Sequence, residues 1–179
     1  GGGGPVPLAG AYRGFNLITL QIESLQTFPL HRTLEGREIT PELNRLAERG
    51  FEWTACFGQT AGGNTSDAEL LALCSLLPLS EGAAFQRCAD RDLPSLPRAL
   101  KEVGYRTSVF HGNDPGVWNR HRMYPRLGVD QYVHAGEFGM EERIGLGLSD
   151  RSFFEQTLPR LKELRRPFFA QLMTLSSHH

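Results

Sequence analysis

The segment GQTAGGNTSDAELL (Gly58–Leu71) joins a glycine-rich turn to the beginning of a helix. Its glycines allow the backbone to adopt positive φ and allow a ligand to approach closely. Ser66 and Glu69 have the S-x-x-E spacing of a capping box, which predicts a helix that begins at Ser66. Thr65 then lies at the mouth of this helix, where unpaired N–H groups and the helix dipole favour an anion.

A threonine in that position can act as a nucleophile on a phosphorus or sulfur centre. The helix end stabilises both the alkoxide of Thr65 and the oxygens of the group under attack. An ordinary capped helix after a glycine-rich loop shows the same pattern, so this segment alone leaves both interpretations open.

The run before the turn, FNLITLQI (Phe15–Ile22), predicts a strand of the kind found buried in parallel sheets. It is followed directly by Glu23. Ligands of open α/β sheets bind at the carboxyl ends of the strands, so Glu23 is either a functional carboxylate or a surface charge on a loop.

Further runs complete an alternating pattern of strands and helices. Strands are predicted over Phe51–Phe57, Tyr105–Phe110 and Pro167–Leu175, with a short one at Gln131–Val133. Helices are predicted over Thr40–Gly50, Ser66–Ser75, Ser95–Val103, Pro115–Tyr124 and Ser149–Leu164. This alternation predicts an α/β fold with a mainly parallel sheet flanked by helices.

Polar residues gather where the predicted strands end. Glu23, Thr65, His111 and His178 all occupy such positions, and parallel strands share one carboxyl edge. We therefore expect the four side chains to converge on one site.

Two further residues, Trp118 and Arg120, follow His111 closely in sequence. His111, Arg120 and His178 have the chemistry to hold phosphoryl oxygens or to protonate a leaving group, and Trp118 suits a glycerol-sized pocket. The alternatives are a core tryptophan, a solvated Arg120, and a His178 that begins a purification tag.

The pair Glu23 and Thr65 also has the chemistry of a metal site. Both offer hard oxygen donors, which suit Mg²⁺, Mn²⁺ or Zn²⁺. A bound cation would lower the pKa of the Thr65 hydroxyl and make it nucleophilic near neutral pH.

Length and charge restrict the possible functions. The 179 residues are enough for one domain or for a piece of a larger one. The net charge of −1 provides no broad positive electrostatic field that would attract nucleic acid. No apolar run approaches the roughly 20 residues of a membrane helix. Cys56, Cys74 and Cys88 form no C-x-x-C pair; we expect three buried thiols, with a Cys74–Cys88 disulfide as the alternative.

From Asn16 onward the chain resembles the lipoteichoic acid synthase and phosphoglycerol transferase group, in the sulfatase-like branch of the alkaline phosphatase superfamily. The resemblance rests on LQIESLQ, EITPELNRLAERG, QTAGGNTSDAELL, LPLSEGAAF, LPSLPRALKEVGYRTSVFHGN, WNRHRMYPRLGVDQY, GLSDRSFFEQTLPRLKEL and PFFAQLMTLSSHH. It implies an alkaline-phosphatase-like fold, with residues 15–179 as the N-terminal portion of the catalytic domain. Residues 1–14 are expected to be disordered or engineered.

The resemblance also implies roles for individual residues. Thr65 is the nucleophile that takes up the phosphoglycerol group, and Glu23 binds a metal beside it, with Mn²⁺ as the expected ion. The substrate-binding residues are His111, Trp118, Arg120 and His178.

The implied donor is a phosphatidylglycerol-like lipid, and the implied acceptor is a growing polymer or a glycan. Such enzymes are anchored in a bacterial cell membrane, with this domain outside the cytoplasm.

Two features depart from the family pattern. The family completes its metal site with a later Asp-His pair that has no counterpart up to His179, so this chain alone is expected to be nearly inactive. Asn64 stands where other members carry a lysine, which leaves the substrate preference open.

A true sulfatase needs a C-x-P-x-R-like context, and Cys56 is followed by Phe-Gly-Gln-Thr, which excludes it. A phosphoethanolamine transferase and a non-catalytic module that binds glycerol phosphate remain as alternatives.

Overall fold

A central parallel sheet organises this computed structural model, which describes residues 10–178. The strands are β1 (Leu17–Gln21), β2 (Thr33–Leu34), β3 (Arg37–Glu38), β4 (Arg106–His111), β5 (Gln131–Val133), β6 (Arg143–Ile144), β7 (Gly147–Leu148) and β8 (Phe168–Met173). The α-helices are α1 (Pro41–Arg49), α2 (Asn64–Cys74), α3 (Ala84–Arg87), α4 (Leu96–Glu102), α5 (Arg120–Arg126) and α6 (Asp150–Glu163). Short 3₁₀ turns cover Val117–Asn119 and Ala135–Glu137.

The sheet has the strand order β1-β8-β4-β5, and every neighbouring pair is parallel. Two short antiparallel hairpins, β2–β3 and β6–β7, stand apart from it. The predicted α/β fold with a mainly parallel sheet and flanking helices is therefore confirmed.

Apolar residues of the inner strands alternate between two hydrophobic clusters. Val109, Phe169 and Met173 belong to one cluster, which also includes Leu70 of α2. Phe110, Ala170 and Leu172 belong to the other, together with Phe153 and Leu161 of α6. Because side chains alternate along a strand, the inner strands are covered on both faces, as parallel sheets require.

Strand β1 lies at an edge of the sheet, where β8 is its neighbour. The strand itself was predicted correctly, but its burial was not: no residue of β1 is buried, and Ile18 is 51% exposed. A strand with a neighbour on one side is covered less than an inner strand of the same composition.

Residues Ser24–Gly58 form a compact unit of their own, separate from the rest of the described chain. The predicted helix is present as α1, with Gly50 at its C-terminal cap. The predicted strand Phe51–Phe57 is wrong. Its residues adopt no regular structure, and Phe51, Trp53 and Phe57 are 84%, 77% and 78% exposed. A strand needs a partner for its backbone groups, and the described residues provide none.

Residues 1–9 lie outside the described part of the chain, and residues 10–14 form turns. The Arg13 N–H donates to Gly10 O at 3.1 Å.

All three cysteines are free thiols. Cys56 is exposed and the other two are half-buried, so the expectation of three buried thiols is wrong. Between residues 10 and 178 no helix is both long and apolar enough to cross a bilayer.

Candidate active site

One small cavity at the carboxyl edge of the sheet brings the predicted site residues together. Its volume is about 30 Å³, comparable to the space of one water molecule in the liquid. The residues that line it are Glu23, Thr65, His111, Asn113, Val117, Trp118, Arg120, Leu146, Leu175 and His178. All six residues that the sequence singled out therefore share this cavity.

Thr65 lies in the first turn of α2, which begins at Asn64 and not at the predicted Ser66. The predicted capping box is absent, because the Ser66 hydroxyl donates to Gly63 O at 2.7 Å. The side chain that caps the turn is Asp67. Its Oδ2 accepts the N–H groups of Ala61 and Gly63, each at 2.9 Å. A buried carboxylate in the first turn satisfies these donors and complements the helix dipole.

Glu23 is held beside Thr65 by the end of β1. The Glu23 N–H donates to Thr174 Oγ1 at 2.9 Å, and the Thr174 N–H donates to Gln21 O at 3.1 Å. The Thr65 hydroxyl donates to Glu23 Oε2 at 3.3 Å. The carboxylate and the candidate nucleophile are thus in direct contact, although 42 residues separate them in sequence.

His111 ends the inner strand β4 and is 2% exposed. Its Nδ1–H donates to Met173 O at 3.1 Å, which leaves the lone pair on Nε2. Burial, with a contribution from Arg120, lowers the pKa of His111 to about 3. The imidazole is therefore neutral at physiological pH and suited to accept a hydrogen bond, not to donate a proton to a leaving group.

Arg120 is 1% exposed, so the interpretation as a solvated residue is wrong. Its Nε and Nη2 donate to Glu69 Oε1 at 3.0 and 2.6 Å. Burial lowers the pKa of Arg120 and the Glu69 carboxylate raises it, with a net rise, so the guanidinium stays protonated. Nη1 is also buried and has no hydrogen-bond partner among the described residues.

Trp118 and His178 form the more open side of the cavity. The predicted helix over Pro115–Tyr124 is interrupted here: Trp118 and Asn119 have φ of 55° and 59°, and α5 begins only at Arg120. The Asn119 amide donates to Phe85 O at 3.2 Å, which holds this left-handed turn. Trp118 is half-buried and His178 is exposed.

Sequence reasoning missed three residues around the cavity. Glu69 was assigned to a capping box, Tyr124 to a helix end, and Asn113 was not singled out. The Tyr124 hydroxyl donates to Glu69 Oε2 at 2.5 Å, and Asn113 lines the cavity. The sequence position of Glu69 could have indicated its role. It lies one helical turn after Thr65, so the two side chains are on the same face of α2.

The cavity contains only part of the ligand set that a metal ion needs, among the residues that the structure describes. Glu23 and Thr65 present two hard oxygens to the cavity, and these fit a divalent cation. Among the described residues no group of three or more His, Cys, Asp and Glu side chains is arranged to hold a metal. The structure thus contains donors for two positions of a coordination sphere.

Comparisons with known proteins identify the family and the fold. The sulfatase family model matches residues 16–179. Lipoteichoic acid synthase 2 of Bacillus subtilis is 38% identical over 94% of this chain, and lipoteichoic acid synthase of Staphylococcus aureus (strain USA300) is 35% identical over 92%. The solved structure of lipoteichoic acid synthase LtaP from Listeria monocytogenes superposes with a TM-score of 0.91 at 35% identity over 94% of this chain.

The relatives are longer than the chain. It spans 27% of the B. subtilis protein, 26% of the S. aureus protein and 42% of the LtaP structure.

Proposed function

The chain belongs to the sulfatase family, and we propose that it carries the nucleophile of a metal-dependent phosphoglycerol transferase. The contact that supports this proposal is the 3.3 Å hydrogen bond from Thr65 Oγ1 to Glu23 Oε2, in a cavity that also includes a buried guanidinium and a neutral imidazole. A hydroxyl beside a carboxylate, at the start of a helix, is suited to attack a phosphorus centre. The similarity to lipoteichoic acid synthases supports phosphoglycerol as the group transferred.

The proposed reaction has two displacements at phosphorus. Thr65 Oγ1 forms a bond to the phosphorus of a phosphatidylglycerol-like donor, and the bond to the diacylglycerol oxygen breaks. The hydroxyl proton of Thr65 passes to solvent, and diacylglycerol leaves as the alcohol after it takes up a proton from solvent, so the first displacement neither gains nor loses a proton. An acceptor hydroxyl then attacks the same phosphorus, which transfers the glycerol phosphate to a polymer or glycan and restores the Thr65 hydroxyl.

The proposed cation is Mn²⁺, with Mg²⁺ and Zn²⁺ as alternatives, and Glu23 and Thr65 would hold it. When bound, it would lower the pKa of the Thr65 hydroxyl and stabilise negative charge on the phosphoryl oxygens. We propose that the remaining ligands come from outside the described residues, and that this chain alone is nearly inactive. Residues 15–179 would then be the N-terminal portion of a longer catalytic domain, which the coverage of the LtaP structure supports.

The other cavity residues are proposed to bind the head group. Arg120 offers its buried Nη1 to a phosphoryl oxygen, and Nε2 of His111 accepts a hydrogen bond from a glycerol hydroxyl. Trp118 and His178 border the open side, where the glycerol enters. Because the cavity now has room for about one water molecule, we expect these two side chains to move when the head group binds.

The same proposal implies a cellular location for the whole protein. A lipid donor requires access to a membrane, so we propose that the protein is anchored in a bacterial cell membrane with this domain on its outer side. Nucleic acid is not a proposed partner, since the net charge of −1 provides no basic surface field.

The test is Thr65→Ala in the full-length protein, with Thr60→Ala as the matched control. Thr60 lies in the same glycine-rich loop but is exposed and does not line the cavity. Release of diacylglycerol from phosphatidylglycerol should fall by at least about 10³-fold in Thr65→Ala and stay near the wild-type rate in the control. A Thr65→Ala protein that keeps its biological activity would instead favour the glycerol-phosphate-binding module, and release from phosphatidylethanolamine would favour the phosphoethanolamine transferase.

A further inference from the structure

Glu69 is a buried carboxylate to which the proposed reaction assigns no part. It is 0% exposed and lies on α2, four residues after Thr65. Residues four apart on a helix lie about 5–6 Å from each other at Cβ, on the same face. The helix that presents the candidate nucleophile therefore presents this carboxylate as well.

Both oxygens of Glu69 are used. Oε1 accepts from Nε and Nη2 of Arg120 at 3.0 and 2.6 Å, and Oε2 accepts from the Tyr124 hydroxyl at 2.5 Å and from Arg120 Nε at 3.3 Å. Tyr124 is itself fully buried, and its ring packs edge-on against Phe85 and Tyr132, with centroids 6.0 and 4.7 Å apart. The carboxylate is thus bound on one side by a cation and on the other by a phenol in a buried aromatic cluster.

These bonds determine which atom of Arg120 remains for a ligand. A guanidinium is planar, so two bonds along its Nε–Nη2 edge fix the direction of Nη1. Nη1 is buried without a partner among the described residues, and Arg120 lines the cavity with Thr65. A buried donor without a partner is costly, and a phosphoryl oxygen in the cavity would satisfy it.

We propose that Glu69 is a positioning residue, which holds Arg120 so that Nη1 points to the phosphoryl group attacked by Thr65. Tyr124 supports the same arrangement through the second carboxylate oxygen. Because Glu69 and Thr65 share α2, the helix sets the spacing between the nucleophile and the cation. This inference rests on the proposed role of Arg120 as a phosphate ligand.

The test is a comparison of Glu69→Gln, Arg120→Lys and the double variant in the full-length protein. The measurements are kcat and KM with phosphatidylglycerol, and the dissociation constant of sn-glycerol-1-phosphate. Glu69→Gln should weaken sn-glycerol-1-phosphate binding roughly 10- to 100-fold. If Glu69 acts through Arg120, the double variant should bind no worse than Arg120→Lys alone. A merely structural Glu69 would lower the folded fraction and leave KM and the dissociation constant of the folded protein unchanged, which would overturn the proposal.

Tyr124→Phe covers the case in which Glu69→Gln does not fold. It keeps the charge of Glu69 and the aromatic ring but removes the bond to Oε2. It should weaken sn-glycerol-1-phosphate binding by about 3- to 10-fold, and a wild-type constant would count against the proposal. If Thr65 is not the nucleophile, Thr65→Ala will retain turnover. In that case the binding measurements would still test whether Glu69 positions Arg120.

Discussion

Strands β1 and β8 are hydrogen-bonded neighbours with similar apolar sequences, yet their environments differ sharply. All six residues of β8 are buried, whereas β1 contains no buried residue. Leu20 and Leu172 are paired in register, and their exposed fractions are 46% and 3%. The difference arises because β8 lies between β1 and β4, while β1 is at the edge.

This comparison matters for the candidate site because residues from both environments meet there. His111 ends the inner strand β4 and is fixed by burial and by a bond to Met173 O. Glu23 follows the edge strand β1 and is half-buried. The inner strand β4 and helix α5 thus supply the buried side of the site, with His111 and Arg120. The segment after the edge strand supplies the proposed metal ligand, Glu23, on a more accessible side.

The largest expected difference between the two strands is in stability. Leu172→Ala should lower the free energy of unfolding by about 2–5 kcal/mol, because it leaves a cavity in a packed core. The matched Leu20→Ala should cost less than about 1 kcal/mol, because this side chain is nearly half exposed. Urea denaturation followed by circular dichroism measures both. Equal losses would contradict the difference, and would mean that β1 is covered in solution.

A smaller effect should appear in the pH dependence of stability. The pKa of His111 is lowered from 6.5 to about 3, so below pH 6.5 the unfolded chain binds a proton that the folded chain does not. Stability from this residue is therefore complete above pH 6.5 and is lost as the pH falls toward 3. Between about pH 6.0 and 4.5 the wild-type chain should lose about 2 kcal/mol more than His111→Asn.

His178→Asn is the matched control, since it removes an exposed imidazole from the same cavity. Comparison with this variant separates the effect of burying an imidazole from the effect of removing one. Identical slopes for the wild type and His111→Asn would mean that the inner strand does not hold this imidazole neutral.

The smallest effect concerns the edge-strand ligand. Titration of this chain with Mn²⁺ in a calorimeter should show weak binding, with a dissociation constant well above the micromolar range. The reason is that the described residues offer Glu23 and Thr65 but no cluster of three or more His, Cys, Asp and Glu side chains. Glu23→Gln should abolish the remaining heat. Micromolar binding would show that the accessible side of the site is more complete than the structure indicates.

Sequence patterns predicted much of the fold and the place of the site. The segments that form β1, β4, β5 and β8 were evident as short runs with strand-forming residues, and their alternation with helices indicated a parallel sheet. Since parallel strands share a carboxyl edge, the positions of Glu23, His111 and His178 were enough to expect a common site. The structure brings them to one cavity with Thr65.

Predictions from local sequence patterns were wrong where the structure of a segment depends on residues far away in the chain. The S-x-x-E spacing is a sound capping signal, but Glu69 pairs with Arg120, 51 residues away, and Asp67 caps the turn instead. The alternation over Phe51–Phe57 is typical of a strand, but a strand also needs a partner, and the described residues form none there.

The amino-acid sequence by itself determined the strands of the central sheet, most of the longer helices, and the polar side chains that stand at the strand ends. These properties depend largely on residues within a few positions of one another. Only the tertiary structure decided that β8 is inner and β1 is at the edge, that Glu69 holds Arg120, and that Thr65 touches Glu23. These outcomes depend on burial and on charge pairs between residues far apart in the chain, whose energies arise only when the packed sheet excludes water from the space between them.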